Sequence, residues 1–152
     1  MGLQITRVQA EYYSRFADMV FWRQNGTERV PTTAAPTGRI AAELQNENLW
    51  IYAAETGGRF VGWISRIYLP KVGPWGGIGH IYVDELWVAP TYRRQGIAKM
   101  LMQKADDLAL AFQTHGVRLY VNAENPSAQA LYAGCGFEKT GTAYMMEKEI
   151  EA

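Results

Sequence analysis

The sequence predicts an α/β fold of the α+β kind: a mixed, mostly antiparallel central sheet flanked by about four helices. Three observations carry that expectation. Two long segments repeat apolar residues at helical spacing, several short runs are rich in β-branched and aromatic residues, and Gly or Pro clusters separate them. With 152 residues, 48% of them apolar and 20% charged, the chain has core material for one compact domain, and residues 1–152 read as a single unit.

The elements follow in order. Val8 to Gln24 carries Val8, Tyr12, Phe16, Met19 and Val20 at helical spacing, and Asn25-Gly26 supplies the stop. Pro31 and Pro36 break Val30 to Gly38, which reads as a surface loop, and Ile40 to Asn46 gives a second, short helix. Leu49 to Glu55 and Arg59 to Leu69 are strands joined by the hairpin signal Thr56-Gly57-Gly58. Lys71 to Gly77 is too rich in Gly and Pro for regular structure, and Gly79 to Val88 is the next strand. Beyond Pro90, the stripe Ile97, Leu101, Ala105, Leu108 and Phe112 marks a long helix that closes at Gly116. Val117 to Val121 reads as a short strand. Pro126 suits the first turn of a brief helix, Ser127 to Ala133, which ends at Gly134. Phe137 to Gly141 and Tyr144 to Ile150 read as the closing strands.

Charge narrows the function. Fifteen basic residues balance fifteen acidic ones, so the chain lacks the broad positive field expected of a protein that binds nucleic acid or an anionic membrane. Any anion site must be local. No run approaches the roughly 18 apolar residues of a membrane span, and the lone Cys135 fits a reducing compartment, so a cytoplasmic location is expected. Neither Cys135 nor the two histidines fall at a metal-ligand spacing, and no metal is expected.

The local anion site is Arg93-Arg94-Gln95-Gly96-Ile97-Ala98. A strand ends at a proline, a basic turn follows, and a helix opens at a glycine and a small residue, which aims free backbone amides at one spot. Small residues at Gly96 and Ala98 let phosphate oxygens approach the backbone, and Arg93 and Arg94 add charge at the rim. Other nucleotide loops do not match: there is no G-x-x-x-x-G-K-[ST], and Gly76-Gly77-Ile78-Gly79 precedes a strand rather than a helix.

This segment resembles the Q/R-x-x-G-x-G/A acetyl-CoA loop of the GNAT superfamily of N-acetyltransferases. A second stretch agrees: Asn125-Pro126-Ser127-Ala128-Gln129-Ala130-Leu131-Tyr132, followed by Gly136-Phe137, is similar to the family's N-x-x-A-x-x-x-Y-x-x-x-G-F segment. The resemblance spans nearly the whole chain. It departs at Arg94, where the family often has glycine. It implies a sheet of six to seven strands, splayed between the fourth and fifth, with acetyl-CoA as co-substrate. By the same resemblance the amides of Gln95, Gly96, Ile97 and Ala98 bind pyrophosphate between Arg93 and Arg94. Leu86, Trp87 and Val88 hold the pantetheine and acyl carbonyl with exposed strand backbone. Asn125 and Ser127 lie along the pantetheine arm, and Tyr132 donates a proton to the departing thiolate.

Direct transfer from a thioester to an amine also needs a proton acceptor, because an alkylammonium has a pKa near 10.4. Asp84 and Glu85 are the nearest carboxylates, and strand alternation sends them to opposite faces. Backbone amides near Trp87 and Val88 are candidates for the oxyanion. The resemblance places the acceptor, a small-molecule or peptide amine, against Tyr12 to Ile40 and Tyr68 to Gly79. Those segments carry Tyr12, Tyr13, Phe21, Trp22, Tyr68 and Trp75 with Asp18 and Glu28, Glu43 following just beyond, a mixture suited to a cation. The resemblance leaves a homodimer open. The rival reading is a non-catalytic acyl-CoA sensor or interaction module on the same fold.

Overall fold

The β-branched runs resolve into one five-stranded sheet in the computed structural model, which describes residues 2–72 and 79–151. The strands are β1 (Gln4–Arg7), β2 (Leu49–Thr56), β3 (Arg59–Leu69), β4 (His80–Val88) and β5 (Val117–Arg118), adjacent in that order. The first four pair antiparallel and β5 joins β4 in parallel. Among the described residues four α-helices accompany them: α1 (Tyr13–Asn25), α2 (Gly38–Glu43), α3 (Ile97–Ala111) and α4 (Pro126–Gly134). The mixed, mostly antiparallel class and the helix number agree with the expectation. The chain divides into two compact units, Met1–Tyr120 and Val121–Ala152.

In the first unit the sheet is covered on both faces. Met19 of α1 packs with Val8, Ala53, Phe60 and Trp63, joined by Tyr12, Phe16 and Trp87. Leu108 and Ala109 of α3 pack on Ile81, joined by Trp50, Tyr68 and Phe112. Full burial of each large side chain contributes about 1.5–3 kcal/mol before the entropy of ordering is subtracted, so these two layers fix where β4 and α3 meet. Beneath α3, Arg66 is wholly buried, and its guanidinium lies 4.4 Å from the Tyr52 ring centroid. Burial pushes its pKa down to about 10, against smaller upward contributions from Tyr52 and Asp107.

A β-bulge re-aims β4. Ser65 pairs with Glu85 but Arg66 pairs with Val83, so Asp84 has no Cα partner. Before the bulge, Ile81 and Val83 face α3; after it, Glu85 and Trp87 face α1. The simple alternation expected for Asp84 and Glu85 is thereby broken.

The sheet parts between β4 and β5, as the resemblance implied. The ladder holds two pairs, Ile81 with Val117 and Tyr82 with Arg118. Among the described residues of the first unit, no strand pairs with the far edge of β4 beyond Tyr82.

Several expectations are corrected. Gln4–Arg7 is a strand, whereas the first helix was expected from Val8; that helix begins at Tyr13, after a 3-10 turn at Ala10–Tyr12 whose spacing mimics it. The second helix is Gly38–Glu43 instead of Ile40 to Asn46. The strand expected over Val117 to Val121 is cut to two residues. Phe137 to Gly141 and Tyr144 to Ile150 form no strand, so the sheet has five strands instead of six to seven. Alternation marks a strand only where a neighbour supplies the ladder.

Candidate active site

The loop that follows β4 has the geometry of an anion cradle. Pro90–Tyr92 makes a single 3-10 turn, Arg93 is extended, Arg94 has φ 64°, and Gly96 has φ 80° immediately before α3. The first bond of α3 runs from the Met100 amide to the Gly96 carbonyl, 3.1 Å, so the earlier amides at this helix start have no carbonyl partner within it. They sit at the positive end of a 15-residue helix. A Cβ built on Gly96 meets nothing within 4 Å, which shows open space in front of the turn.

The two arginines differ in ways the sequence does not show. Arg93 folds back, and its Nε donates to the Val88 carbonyl at 2.9 Å, clipping the loop to the end of β4. Arg94 occupies the left-handed region, which costs a non-glycine residue about 1–2 kcal/mol. That explains why glycine suits this position in the resembling family: the turn needs a positive φ there.

Upstream, Leu86 and Trp87 are half-buried and Val88 is buried. The Trp87 ring is part of an aromatic floor, 5.4 Å from Trp63 and 5.7 Å from Trp22 of α1. Glu85 lies on the same side, and its Oε2 accepts from Arg23 Nη1 of α1 at 2.9 Å. The Arg23 guanidinium also lies 5.3 Å from the Trp63 ring. Asp84 is exposed near Tyr82, and burial followed by the Asp84 charge raises the Tyr82 pKa.

The structure brings Trp22, Glu85 and Trp87 together but separates Tyr68, which stacks on Phe112 at 4.6 Å on the α3 side. Trp75, with residues 73–78, lies outside the described residues. Tyr12 packs on Phe60, Phe21 lies under Arg29, and Glu28 pairs with Arg59 at 2.6 Å. Tyr13 is half-buried and Glu43 exposed.

Asp18 acts as a loop anchor. It accepts from Arg29 Nε at 2.8 Å, from the Thr32 hydroxyl at 2.7 Å and from the Thr32 amide at 3.1 Å. Burial opposes its ionisation, but the Thr32 and Arg29 donors together outweigh burial and hold its pKa below the ordinary 3.8. A depressed carboxylate contributes stability above its unfolded pKa and loses it as pH falls through the folded value. Asp18→Asn is therefore expected to lower stability by about 1–2 kcal/mol at pH 7, and the gap to wild type should narrow as urea midpoints are measured below pH 4.

The second unit is built around α4. Asn125 caps it, its Oδ1 accepting from the Ala128 amide at 3.1 Å, with Pro126 in the first turn and Ser127 exposed beside it. Tyr132 packs edge-on against Phe137 at 6.0 Å. Burial, with a smaller contribution from Cys135, raises the Tyr132 pKa, so the phenol keeps its proton at neutral pH. Among the described residues no cluster of three or more His, Cys, Asp or Glu is placed to hold a metal, and no helix is long and apolar enough to cross a membrane.

Comparison with known proteins gives the arrangement a context. The chain is 30% identical over 123 residues to N-acetyltransferase family 8 member 2 of Rattus norvegicus, covering 81% of this chain and 54% of the rat protein. It thus spans about half the length of that relative. In fold it is similar to AAC(6')-Iy solved with a bisubstrate analogue, CoA-S-monomethyl-acetylneamine, with TM-score 0.77, 16% identity and 99% and 100% of the two chains covered. It is also similar to a ribosomal-protein-alanine N-acetyltransferase from Brucella melitensis, with TM-score 0.72, 20% identity and 97% and 100% covered. The acetyltransferase (GNAT) family model matches residues 11–137, a span that takes in β4, the cradle and α4, and the chain belongs to that family.

Proposed function

We propose that the chain moves an acetyl group from acetyl-CoA to a primary amine by direct attack in a ternary complex. The observation that carries this reading is the turn after β4: unbonded amides, a left-handed Gly96 and open space, all at a helix N-terminus. In this reading the amides of Gln95, Gly96, Ile97 and Ala98 hold the pyrophosphate, and Arg94 flanks it. Arg93 does so with the nitrogens not committed to Val88. The unpaired edge of β4 at Leu86, Trp87 and Val88 takes the pantetheine and acyl carbonyl, and Asn125 and Ser127 support the arm.

The amine nitrogen attacks the thioester carbonyl, forming the C–N bond. Collapse of the tetrahedral oxyanion, stabilised by β4 amides, breaks the C–S bond. The proton lost by the amine passes to Glu85 or Asp84, and the coenzyme A thiolate takes one from Tyr132. A thiol with a pKa near 8.5 leaves readily, so Tyr132 contributes modestly. Tyr132→Phe is expected to lower kcat about tenfold, at the weak end for general acids, with coenzyme A affinity unchanged; equal turnover would remove Tyr132 from the mechanism.

The experiment that tests the function is thiol release from acetyl-CoA with a mixed panel of alkyl, aromatic and peptide amines, paired with calorimetry of coenzyme A binding. Turnover with an amine supports the reading. Binding without turnover across the panel assigns the chain to a sensor role instead, and no binding removes both.

A further inference from the structure

Four carboxylates around α1 are already held by arginines. Asp18 is paired with Arg29, Glu28 with Arg59, Glu55 with Arg15 and Glu85 with Arg23. Among these, the Arg23–Glu85 pair alone stands on β4, the strand that ends three residues later and leads into the anion cradle. Both partners are substantially exposed, at 40% and 42%, and 62 residues of chain separate them. Exposed pairs of this kind are weak and exchange readily.

Arg23 also satisfies the two conditions that an incoming cation would have to meet. Its guanidinium donates to Glu85 at 2.9 Å, and it lies 5.3 Å from the Trp63 ring, which Trp87 and Trp22 extend into a floor. A carboxylate beside aromatic faces is a recognition surface for an organic ammonium. In this structure the protein supplies the cation itself.

We propose that Arg23 is a resident competitor for the acceptor, occupying Glu85 until an alkylammonium flanked by an aromatic or apolar group displaces it. Arg23 is then a specificity-determining residue. It sets a threshold that neutral compounds gain nothing by crossing and that cations with an apolar flank cross by covering the tryptophan floor. The proposal deepens the acetyl-transfer reading and rests on it for the word acceptor, but its test needs no turnover.

The probe is benzylamine, with benzyl alcohol as its neutral counterpart, titrated against the intact chain and followed by tryptophan fluorescence. Arg23→Gln is expected to bind benzylamine about two- to fivefold more tightly than wild type, the range by which an exposed ion pair holds its partner. Arg23→Lys should stay close to wild type, and Glu85→Gln should lose the gain when combined with Arg23→Gln. Methylguanidinium should compete with benzylamine in Arg23→Gln. Equal benzylamine affinity in wild type and Arg23→Gln, or an equal gain for benzyl alcohol, overturns the proposal. Failure of wild type to bind coenzyme A in calorimetry would sink the acetyl-transfer reading while leaving this comparison of cation affinities intact.

Discussion

Gly96→Glu is expected to bind coenzyme A about a thousandfold more weakly than wild type by isothermal titration calorimetry, a loss of about 4 kcal/mol. The side chain would project into the open space in front of the turn, where the amides at the start of α3 converge. A carboxylate there faces a diphosphate at short range, and each pair of unit charges 4 Å apart repels by about 1 kcal/mol in water and more where solvent is excluded. It also offers the amides an intramolecular anion, which replaces the ligand they would otherwise hold. Gly96→Ala separates this effect from backbone strain. Both variants carry a β-carbon at φ 80°, at a cost of about 1–2 kcal/mol in stability, but only the glutamate brings charge. Affinity within about tenfold of wild type for the alanine variant, and a near-complete loss for the glutamate, is the expected pattern. Unchanged affinity in Gly96→Glu would refute the cradle.

The largest stability effect is expected at Gly79. Its φ is 91°, and a Cβ there would stand 2.4 Å from the Leu69 carbonyl oxygen and 3.0 Å from the Pro70 Cα. Backbone is the obstacle on both counts, so no rotamer change relieves it. Left-handed strain and overpacking together should make Gly79→Ala about 3 kcal/mol less stable in urea unfolding. The damage is local to a joint, because Leu69 pairs with His80 and the next residue, Ile81, carries the β5 ladder. Gly62 offers a milder comparison, since its Cβ would meet the Trp87 carbonyl oxygen at 2.9 Å in an ordinary extended backbone. A midpoint for Gly79→Ala equal to wild type would show that the β3–β4 end tolerates separation.

The sequence made the core of the candidate site legible because its signals are local. The strand ending at Val88, the basic turn and the stripe from Ile97 to Leu108 lie within one stretch of chain, and each part constrains the next. The start of α4 at Pro126 was equally local. What escaped was set by distant partners. Gln4–Arg7 is short and mixed in character, and it is a strand because β2 offers Tyr52 to Glu55 as a ladder. The Arg23–Glu85 pair joins residues far apart in the chain, and no periodicity announces it. The unpartnered residue in β4 is likewise invisible to alternation, which assumes an unbroken period of two. The two closing strands failed for the converse reason: the pattern was present and the ladder was not.

That extra residue at Asp84 has a consequence for the cleft. It works as a change of parity: odd-numbered side chains point toward α3 before it and toward α1 after it. Removing Asp84 would leave Val83 against Arg66 and Glu85 against Ser65 in an unbroken ladder, with the glutamate and tryptophan of the floor still toward α1; pairing Asp84 into the ladder instead would turn them to the opposite side and bring Leu86 in their place. The composition of this wall is thus written in whether one residue of the strand stays out of the ladder, and a chain of the same length that paired without the bulge would present a different wall from the same letters.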